Sequence, residues 1–175
     1  MARVVVLGAG ISGHTAALHL RRLLDQRHEV VVVSPNSQWN WIPSNIWVGV
    51  GRMTPSQVTF PLKPVYDKHG VDFRQAKAVA LHPEGDETTE KGYVDVVYTD
   101  PTRAGEKQSI GYDYLINATG PKLNFAATPG LGPDGHTVSV CTYSHAEEAA
   151  KQLAGVIAKL KAGRVAREVA DAAVQ

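Results

Sequence analysis

The first 34 residues consist of two continuous apolar runs separated by an amphipathic segment. Arg3 to Leu7 and residues 29–33 show almost no polar alternation, which is typical of central parallel strands that are buried on both faces. Between them, from Ile11 to about Gln26, apolar residues recur at helical spacing. The pattern predicts a strand–helix–strand unit with a right-handed crossover.

The predicted helix has an apolar side and a polar side. The positions that we expect to be buried are Ala17, Leu20 and Leu24. The positions that we expect to face solvent are Arg21, Arg22 and Asp25.

The middle of the chain has a different composition. Residues 34–60 are rich in Pro, Asn, Ser and Trp, which predicts an ordered loop that carries function. A short helix is predicted at residues 64–69, closed by Gly70, and a short third parallel strand at residues 71–73. Further β-like runs, separated by polar segments, predict an antiparallel meander: residues 76–81, 93–99 and 109–117.

The last part of the chain is predicted to be mainly helical. One more strand is predicted at residues 137–140, followed by a helix from His145 to about Ala162 that Ser144 would cap. The apolar stripe of this helix comprises Ala149, Leu153, Val156, Ile157 and Leu160. We therefore expect a dinucleotide-binding domain over residues 1–163 and a short helical or frayed tail over residues 164–175.

Composition narrows the class of protein. The chain has 175 residues, 43% apolar and 20% charged, which suits one globular domain. A net charge of +1 gives no reason to expect nucleic acid as a partner. One cysteine excludes an intrachain disulfide and a multi-cysteine zinc site, and the scattered histidines predict no metal site. No signal peptide or bilayer-length apolar run is found, so we expect a cytoplasmic location.

Three glycines follow the first predicted strand and open the first predicted helix. Gly8, Gly10 and Gly13 form a GxGxxG pattern, in which the first glycine makes a tight turn and the second lets the backbone approach a pyrophosphate. The third lets helix and strand pack closely, and the unpaired N–H groups of the helix N-terminus, from Ile11 and Ser12 onward, would face the phosphates. The context predicts a dinucleotide site.

Two further segments refine the kind of site. Ser34 stands where an acidic residue usually binds a ribose, so a hydroxyl would make that contact unless Ser34 is an ordinary turn residue. Near the end of the meander a strand runs into Ala118, Thr119 and Gly120, small residues that allow a flavin or another backbone to approach. Together with GxGxxG, this second fingerprint predicts a Rossmann-type α/β fold that binds FAD, with a central parallel sheet, helices and an antiparallel meander.

Several segments resemble the N-terminal part of the sulfide:quinone oxidoreductase family, which is related to flavocytochrome c sulfide dehydrogenase. They are VVVLGAGISG at the start, IPSNIWVGVG at residues 42–51, TFPL at residues 59–62, YDYLINATGPKL at residues 112–123 and VCTYSHAEEA at residues 140–149. The resemblance implies an FAD-dependent oxidoreductase. It also implies that Pro43, Ser44 and Asn45 lie along the flavin and its ribityl chain, that Ala78 contacts the adenine side through its backbone, and that Lys122 stands near the cofactor.

Cys141 matches one of three cysteines on which that family relies. In the family, sulfide attacks a cysteine disulfide, a persulfide forms, and electrons pass through the flavin to quinone. The resemblance makes Cys141 the candidate catalytic residue; without it, a lone cysteine is more often a small buried hydrophobe.

The family would continue after about Gly163 with a second dinucleotide-binding domain. The other cysteines, the quinone site and the membrane-binding region would lie there, so the resemblance implies peripheral contact with the inner membrane only through that part. We expect no steady turnover of sulfide and quinone by this chain alone. We also expect apolar surface left exposed to drive homodimer formation.

Two other functions stay open. A type II NADH:quinone oxidoreductase shares both fingerprints without needing a cysteine at position 141, although IPSNIWVGVG argues against it. A non-catalytic flavin-binding module is the other alternative. The nearest histidines to the candidate chemistry, His14 and His145, are expected to be surface or capping residues more often than catalytic ones. The three tryptophans would either shield the flavin or pack the loop: Trp39, Trp41 and Trp47.

Overall fold

The computed structural model describes residues 1–132 and 134–173. The chain divides into two compact units. The first comprises Met1–Trp39 and Phe60–Lys122, and the second comprises Asn40–Thr59 and Leu123–Gln175.

The predicted strand–helix–strand unit is confirmed at the start of the first unit. Strand β1 (Arg3–Leu7) leads into helix α1 (Ile11–Leu23), and strand β2 (Glu29–Ser34) returns parallel to β1, with Arg3 opposite Glu29. The valines at the centre of both strands are buried, as continuous apolar runs of parallel strands should be. The helix ends at Leu23, earlier than the periodicity predicted.

The solvent-facing position predicted for Arg21 is wrong, because this side chain is only 7% exposed. Its guanidinium donates hydrogen bonds to the carbonyl oxygens of Leu24, Asp25 and His28 at 2.5–3.0 Å. These carbonyls follow the last turn of α1, where backbone acceptors lack helical partners. Arg21 therefore caps the end of the helix from the buried side, whereas Arg22 is exposed.

Strands β3 (Gln38–Asn40) and β4 (Thr59–Pro61) form a two-stranded ribbon. Between them lie a 3-10 turn (Ile42–Ser44) and the short helices α2 (Asn45–Gly49) and α3 (Pro55–Val58). After β4, helix α4 (Leu62–His69) ends at Gly70, whose φ of 68° is the left-handed conformation that glycine adopts readily. The predicted helix closed by Gly70 is confirmed.

The main sheet differs from prediction in how its later strands divide. Strand β5 (Asp72–His82) is one strand, in place of the two predicted; it begins parallel to β2 and continues antiparallel to β6 (Tyr93–Tyr98). The predicted run 109–117 forms two strands, β7 (Lys107–Gly111) and β8 (Tyr114–Asn117). Strand β7 pairs antiparallel with β6, and β8 pairs parallel with β1.

The sheet order is β7-β6-β5-β2-β1-β8, a parallel sheet extended by an antiparallel meander. This confirms the predicted Rossmann-type α/β fold. Apolar residues fill both faces of the sheet. Buried residues on one face include Val5, Val31, Val33, Val94 and Val96, and those on the other include Val6, Ala17, Val32, Leu62 and Tyr66.

The second unit is built around helix α5 (Tyr143–Ala173), which packs on α2 and α3. Its buried core residues are Val48, Val58 and Ala146. Gly49 allows the close approach, because an added Cβ there would lie 3.1 Å from Val140 Cγ1 and 3.9 Å from Ala149 Cβ.

The start of α5 differs from the prediction. The helix begins at Tyr143, so Ser144 lies inside it and does not cap it. Thr142 takes that place, because its Oγ1 accepts a hydrogen bond from the backbone N–H of His145 at 3.2 Å. The helix continues to Ala173 with no break at Gly163, so a domain boundary there stays a prediction.

Residues 137–140 do not form the predicted strand. Within the described residues, no helix is both long and apolar enough to cross a bilayer.

Candidate functional site

The carboxyl ends of three parallel strands of the first unit meet at one edge of the sheet. Gly8 follows β1, Ser34 ends β2, and Ala118 follows β8. The backbone joins them: the Gly8 N–H donates to Val33 O, and the Ala118 N–H donates to Leu7 O, both at 2.8 Å. Ligands of open α/β sheets bind at such an edge. The structure thus brings the two predicted fingerprints together.

Each glycine of the first fingerprint has a different environment. Gly8 has a φ of 95°, and a Cβ added there would lie 2.4 Å from Ala118 O. A Cβ on Gly13 would lie 2.0 Å from Gly8 O, so both positions are closed to any side chain. A Cβ on Gly10 would meet nothing within 4 Å. The middle glycine faces open space, as close approach of a pyrophosphate requires.

The N-terminus of α1 is suited to an anion. Gly10 is the N-cap residue and supplies no side-chain hydrogen bond, and the first turn contains no acidic residue. The first helical bond runs from the His14 N–H to Gly10 O at 2.9 Å. The N–H groups of Ile11, Ser12 and Gly13 therefore have no partner within the helix, and they add to its positive dipole end.

The second fingerprint is an ordered turn. Thr119 donates through both its hydroxyl and its backbone N–H to Asn117 Oδ1, at 2.8 and 3.2 Å. Gly120 follows with a φ of 71° and nothing within 4 Å of an added Cβ. Lys122 lies beyond it and is exposed. This turn presents small residues beside Gly8, and its open side is at Gly120.

The other two predicted cofactor-binding residues of this unit are Ser34 and Ala78. Ser34 is 4% exposed, and its Oγ accepts a hydrogen bond from the Asn36 N–H at 3.3 Å, as an ordinary turn serine does. Ala78 is half-buried in β5, opposite Val96, beside an irregularity in the pairing with β6. The ribose contact of Ser34 and the adenine contact of Ala78 stay predictions.

An aromatic cluster in the first unit surrounds His14, the residue after the third glycine. The rings of Trp39, Phe60 and Tyr66 lie 5.4–5.8 Å from the His14 ring, and His14 Nδ1 is 3.0 Å from the Tyr66 hydroxyl. Burial, and then the charge of His69, lowers the pKa of His14 below its ordinary value of 6.5. Burial raises the pKa of Tyr66.

This cluster shows the role of Trp39 in packing. Its ring stacks on Phe60 with ring centres 4.8 Å apart, so it packs strand β3 against strand β4. Sequence reasoning did not find the cluster, because its members are separated in the chain. Trp41 and Trp47 belong to the second unit and are exposed.

In the second unit, Pro43 and Ser44 lie in the 3-10 turn and Asn45 opens α2. The Asn45 side chain is fully buried, and its amide forms two reciprocal hydrogen bonds with the amide of Asn40, both at 2.9 Å. Asn45 thereby fixes the entry to α2, a role that the sequence did not indicate. The flavin contacts predicted for these three residues stay predictions.

Cys141 is a free, exposed cysteine just before α5. Its backbone N–H donates to Ser139 Oγ at 3.3 Å, and the same oxygen lies 3.1 Å from His145 Nδ1. The thiol is thus accessible on a segment that Ser139 and His145 hold in place. No group of three or more metal-binding side chains occurs among the described residues.

A profile of the pyridine nucleotide-disulphide oxidoreductase family matches residues 2–174. The chain belongs to this family. Family members and their sulfide-quinone reductase homologues bind FAD, and the open space at Gly10, the α1 N-terminus and the turn at Gly120 fit that cofactor. The pyridine nucleotide-disulphide oxidoreductase domain described here is therefore an FAD-dependent oxidoreductase domain.

Two of the proteins that this chain resembles are named as quinone-linked enzymes. The domain is 31% identical over 150 residues to sulfide-quinone reductase of Aquifex aeolicus, which covers 86% of this chain and 31% of that protein. It is 29% identical over 128 residues to the mitochondrial external alternative NAD(P)H-ubiquinone oxidoreductase B1 of Arabidopsis thaliana, which covers 73% of this chain and 22% of that protein.

Solved structures agree on the fold. The sulfide:quinone oxidoreductase of Aquifex aeolicus superposes with a TM-score of 0.75 at 28% identity, over 90% of this chain and 33% of the other. The NDH2 structure from Plasmodium falciparum superposes with a TM-score of 0.70 at 20% identity, over 91% of this chain and 30% of the other. The chain spans about a third or less of the length of these relatives.

Proposed function

We propose that this domain binds FAD for an enzyme that oxidises sulfide and delivers the electrons to quinone. The observation that carries the proposal is the 31% identity to sulfide-quinone reductase over 86% of the chain, which includes Cys141. The proposal concerns the complete enzyme, because the chain spans only part of that relative.

In this proposal the first unit holds the nucleotide part of the cofactor. The N–H groups at the start of α1 bind the pyrophosphate, and Gly10 leaves the space for it. Ser34 would donate to a ribose hydroxyl, with Ala78 on the adenine side. The bound FAD supplies the two-electron acceptor that the side chains of this domain lack.

The second unit supplies the sulfur chemistry. We assign this step to Cys141, because its thiol is exposed and a thiolate is the form that reacts with sulfur. Sulfide attacking a disulfide of Cys141 with a second cysteine would leave a persulfide on one sulfur and a thiolate on the other, with no net loss of electrons. That second cysteine lies outside this sequence, which contains one cysteine.

The cofactor is tested first by a visible absorption spectrum of the purified chain, before and after acid precipitation. Flavin bands support the FAD site, and colour kept in the precipitate indicates a covalent link, for which Cys141→Ser is the control. A colourless chain that takes up no added FAD would refute FAD binding by this domain.

The electron donor is tested by anaerobic addition of sulfide or NADH to the complete enzyme, because the disulfide that sulfide attacks needs a second cysteine, which this chain does not contain. Sulfide should bleach the flavin bands of the wild type faster than those of Cys141→Ser, and NADH should have little effect. No steady reduction of quinone by sulfide is expected from this chain alone.

A second candidate function, transfer of electrons from NAD(P)H to quinone, is favoured by the matches to the NAD(P)H-ubiquinone oxidoreductases. It predicts bleaching by NADH in both the wild type and Cys141→Ser, and no effect of sulfide. Bleaching by neither donor would favour a non-catalytic flavin-binding module.

A further inference from the structure

A cleft of the first unit lies between the second half of α1 and the last turn of α4, and is here called the α1–α4 cleft. Its volume is about 490 Å³, which is within the range of small-molecule sites. Its polar lining residues are His19, Arg21, Arg22, Gln26, Lys68 and His69. None of the described residues that line it is acidic, whereas two arginines and a lysine give it permanent positive charge.

The α1–α4 cleft is separate from the nucleotide site. The glycine fingerprint opens α1, and Gly10 is its N-cap residue, whereas Arg22 belongs to the last turn of the same helix. At a rise of 1.5 Å per residue, the two positions are about 18 Å apart along the helix axis. A ligand in the cleft would therefore be bound independently of the pyrophosphate of FAD.

Arg21 brings a buried charge to the lining of the cleft. Its side chain is only 7% exposed, and its guanidinium donates to three carbonyl oxygens, which are neutral acceptors. Its Nε–H is buried and has no hydrogen-bond partner among the described residues. Because a buried charge without an opposite charge is unfavourable, an anion in the cleft would stabilise Arg21.

The two aspartates that are close in sequence to the cleft residues are engaged with other cations. Both oxygens of Asp67 accept hydrogen bonds from Lys63 Nζ at 2.9 Å. Asp25 accepts hydrogen bonds from Arg27, which are the largest causes of its lowered pKa, and the charge of Arg21 contributes less. Neither carboxylate therefore serves as the counter-ion of the cleft.

The two helix ends account for only part of the positive charge. The C-terminus of a helix carries roughly −0.5 of an elementary charge, so the ends of α1 and α4 together offset about one cation. No salt bridge among the described residues involves Arg21, Arg22 or Lys68. An excess of roughly two positive charges remains, and a phosphate monoester carries about −1.5 to −2 at pH 7.

The donors of the cleft suit a tetrahedral oxyanion. Arg22 is exposed and offers a planar fork that can bind two phosphate oxygens at once, and the exposed Lys68 adds a compact charge. Three further side chains of the lining can donate hydrogen bonds: His19, Gln26 and His69. A single carboxylate has one charge and would leave about half of the excess without compensation.

We propose that the α1–α4 cleft binds the phosphate group of a phosphate monoester, with Arg22 and Lys68 as its direct partners and Arg21 as a buried supporting charge. The site goes beyond the redox function and does not depend on it. It requires no part of the enzyme outside the first unit.

The site is tested by NMR titration of the isotope-labelled chain, loaded with FAD, with inorganic phosphate at constant ionic strength. The amide signals of residues 19–28 and 67–71 should shift, with a dissociation constant of about 1 mM. Acetate, a monoanion, should bind about tenfold more weakly or less. If the chain takes up no FAD, the same signals still identify the cleft, because phosphate at the nucleotide site would shift residues 8–14 instead.

The direct partners are tested by Arg22→Gln/Lys68→Gln, which should raise the dissociation constant for phosphate about tenfold or more. Both side chains are exposed, so folding should not change. Lys77→Gln/Lys161→Gln is the matched control, because it removes two positive charges from exposed positions outside the cleft and should bind phosphate like the wild type. Arg22→Lys should fall between the two, since it keeps the charge but loses the planar fork.

The source of the phosphate group is tested with two further probes. Glycerol phosphate presents the monoester in solution, and vesicles of phosphatidylcholine and phosphatidic acid present it on a lipid. Binding of glycerol phosphate without binding of the vesicles assigns a soluble ligand. Vesicle binding that Arg22→Gln/Lys68→Gln abolishes assigns a lipid headgroup.

Three results would overturn the proposal. The first is the absence of any shift in residues 19–28 and 67–71 at about 10 mM phosphate. The second is an equal affinity for acetate and phosphate, which would contradict the match to a dianion. The third is an equal loss of affinity in Arg22→Gln/Lys68→Gln and in Lys77→Gln/Lys161→Gln, since binding would then reflect net charge alone.

Discussion

The three glycines of the first fingerprint make separable contributions to folding and to FAD binding. Gly10 has a φ of −69°, which any residue adopts, and a Cβ there would meet nothing within 4 Å. Gly10→Ala should therefore leave the free energy of unfolding of the cofactor-free chain unchanged, or raise it by about 0.4–1 kcal/mol because alanine restricts the unfolded chain.

The same methyl group would occupy the space through which the pyrophosphate reaches the N–H groups of α1. We expect the dissociation constant for FAD to rise about 10- to 100-fold in Gly10→Ala, equivalent to roughly 1.4–2.8 kcal/mol. Isothermal titration of the cofactor-free chain with FAD measures this change, and urea unfolding measures stability on the same samples.

Two other glycines serve as comparisons. Gly13→Ala would place a Cβ 2.0 Å from Gly8 O, so it should destabilise the fold itself by about 1–3 kcal/mol or more. Gly111→Ala, at the end of β7, also meets nothing within 4 Å, so it should change stability no more than Gly10→Ala does and should leave FAD binding unchanged. The reasoning is wrong if Gly10→Ala binds FAD like the wild type, or if it loses as much stability as Gly13→Ala.

Three further substitutions test single contacts of the fold. Because the pKa of His14 is lowered in the folded chain, unfolding takes up a proton near pH 6.5, and the free energy of unfolding should decrease as the pH is lowered through this range. His14→Gln should make the urea midpoint less dependent on pH, and an unchanged slope would contradict this. Asn45→Ala should lower the free energy of unfolding, measured in urea, by about 1–3 kcal/mol, because the fully buried Asn45 side chain and its two bonds to the half-buried amide of Asn40 are lost; a double-mutant cycle with Asn40→Ala should show coupling. Arg21→Met should lower the free energy of unfolding by about 1.5–3 kcal/mol, whereas Arg22→Met, at the exposed neighbouring position, should lower it by less than about 0.5 kcal/mol. Equal losses of stability in the two variants would refute the capping role of Arg21.

The first strand–helix–strand unit was predictable from sequence because its pairing is local. Continuous apolar runs and helical periodicity are each complete within a few residues, and the glycine spacing lies at their junction. The same holds for α4, which Gly70 ends. The resemblance in the later segments then predicted the family correctly.

The division between β7 and β8 was missed, because Gly111 alone is a weak turn signal within the run of residues 109–117. Asp113 lies at the break, and its carboxylate accepts hydrogen bonds from the Arg3 N–H and from Lys91 Nζ, both at 2.7 Å. Both partners are distant in sequence. Tertiary contacts therefore choose the point where the chain leaves the meander and joins β1.

Amphipathic periodicity also did not predict which helix positions are buried. Arg21 was expected on the wet side of α1, but the backbone carbonyls beyond the helix end gave it a buried set of acceptors. Conversely, the apolar stripe of α5 was predicted correctly as a stripe, yet Leu153 and Leu160 are exposed. Periodicity identifies the side of a helix, whereas burial depends on neighbours that the local pattern does not contain.

The contact between Gly8 and Ala118 determines when the nucleotide site can exist during synthesis. A nascent chain that has emerged only as far as β7 already contains β1, α1 and β2, but the second wall of the site has not yet left the ribosome. Pairing of β1 with β8, which are far apart in the sequence, is also among the slower steps of folding. Cofactor capture therefore has to wait until β8 has left the ribosome, and flavin fluorescence on stalled ribosomes would report the moment at which β8 pairs with β1.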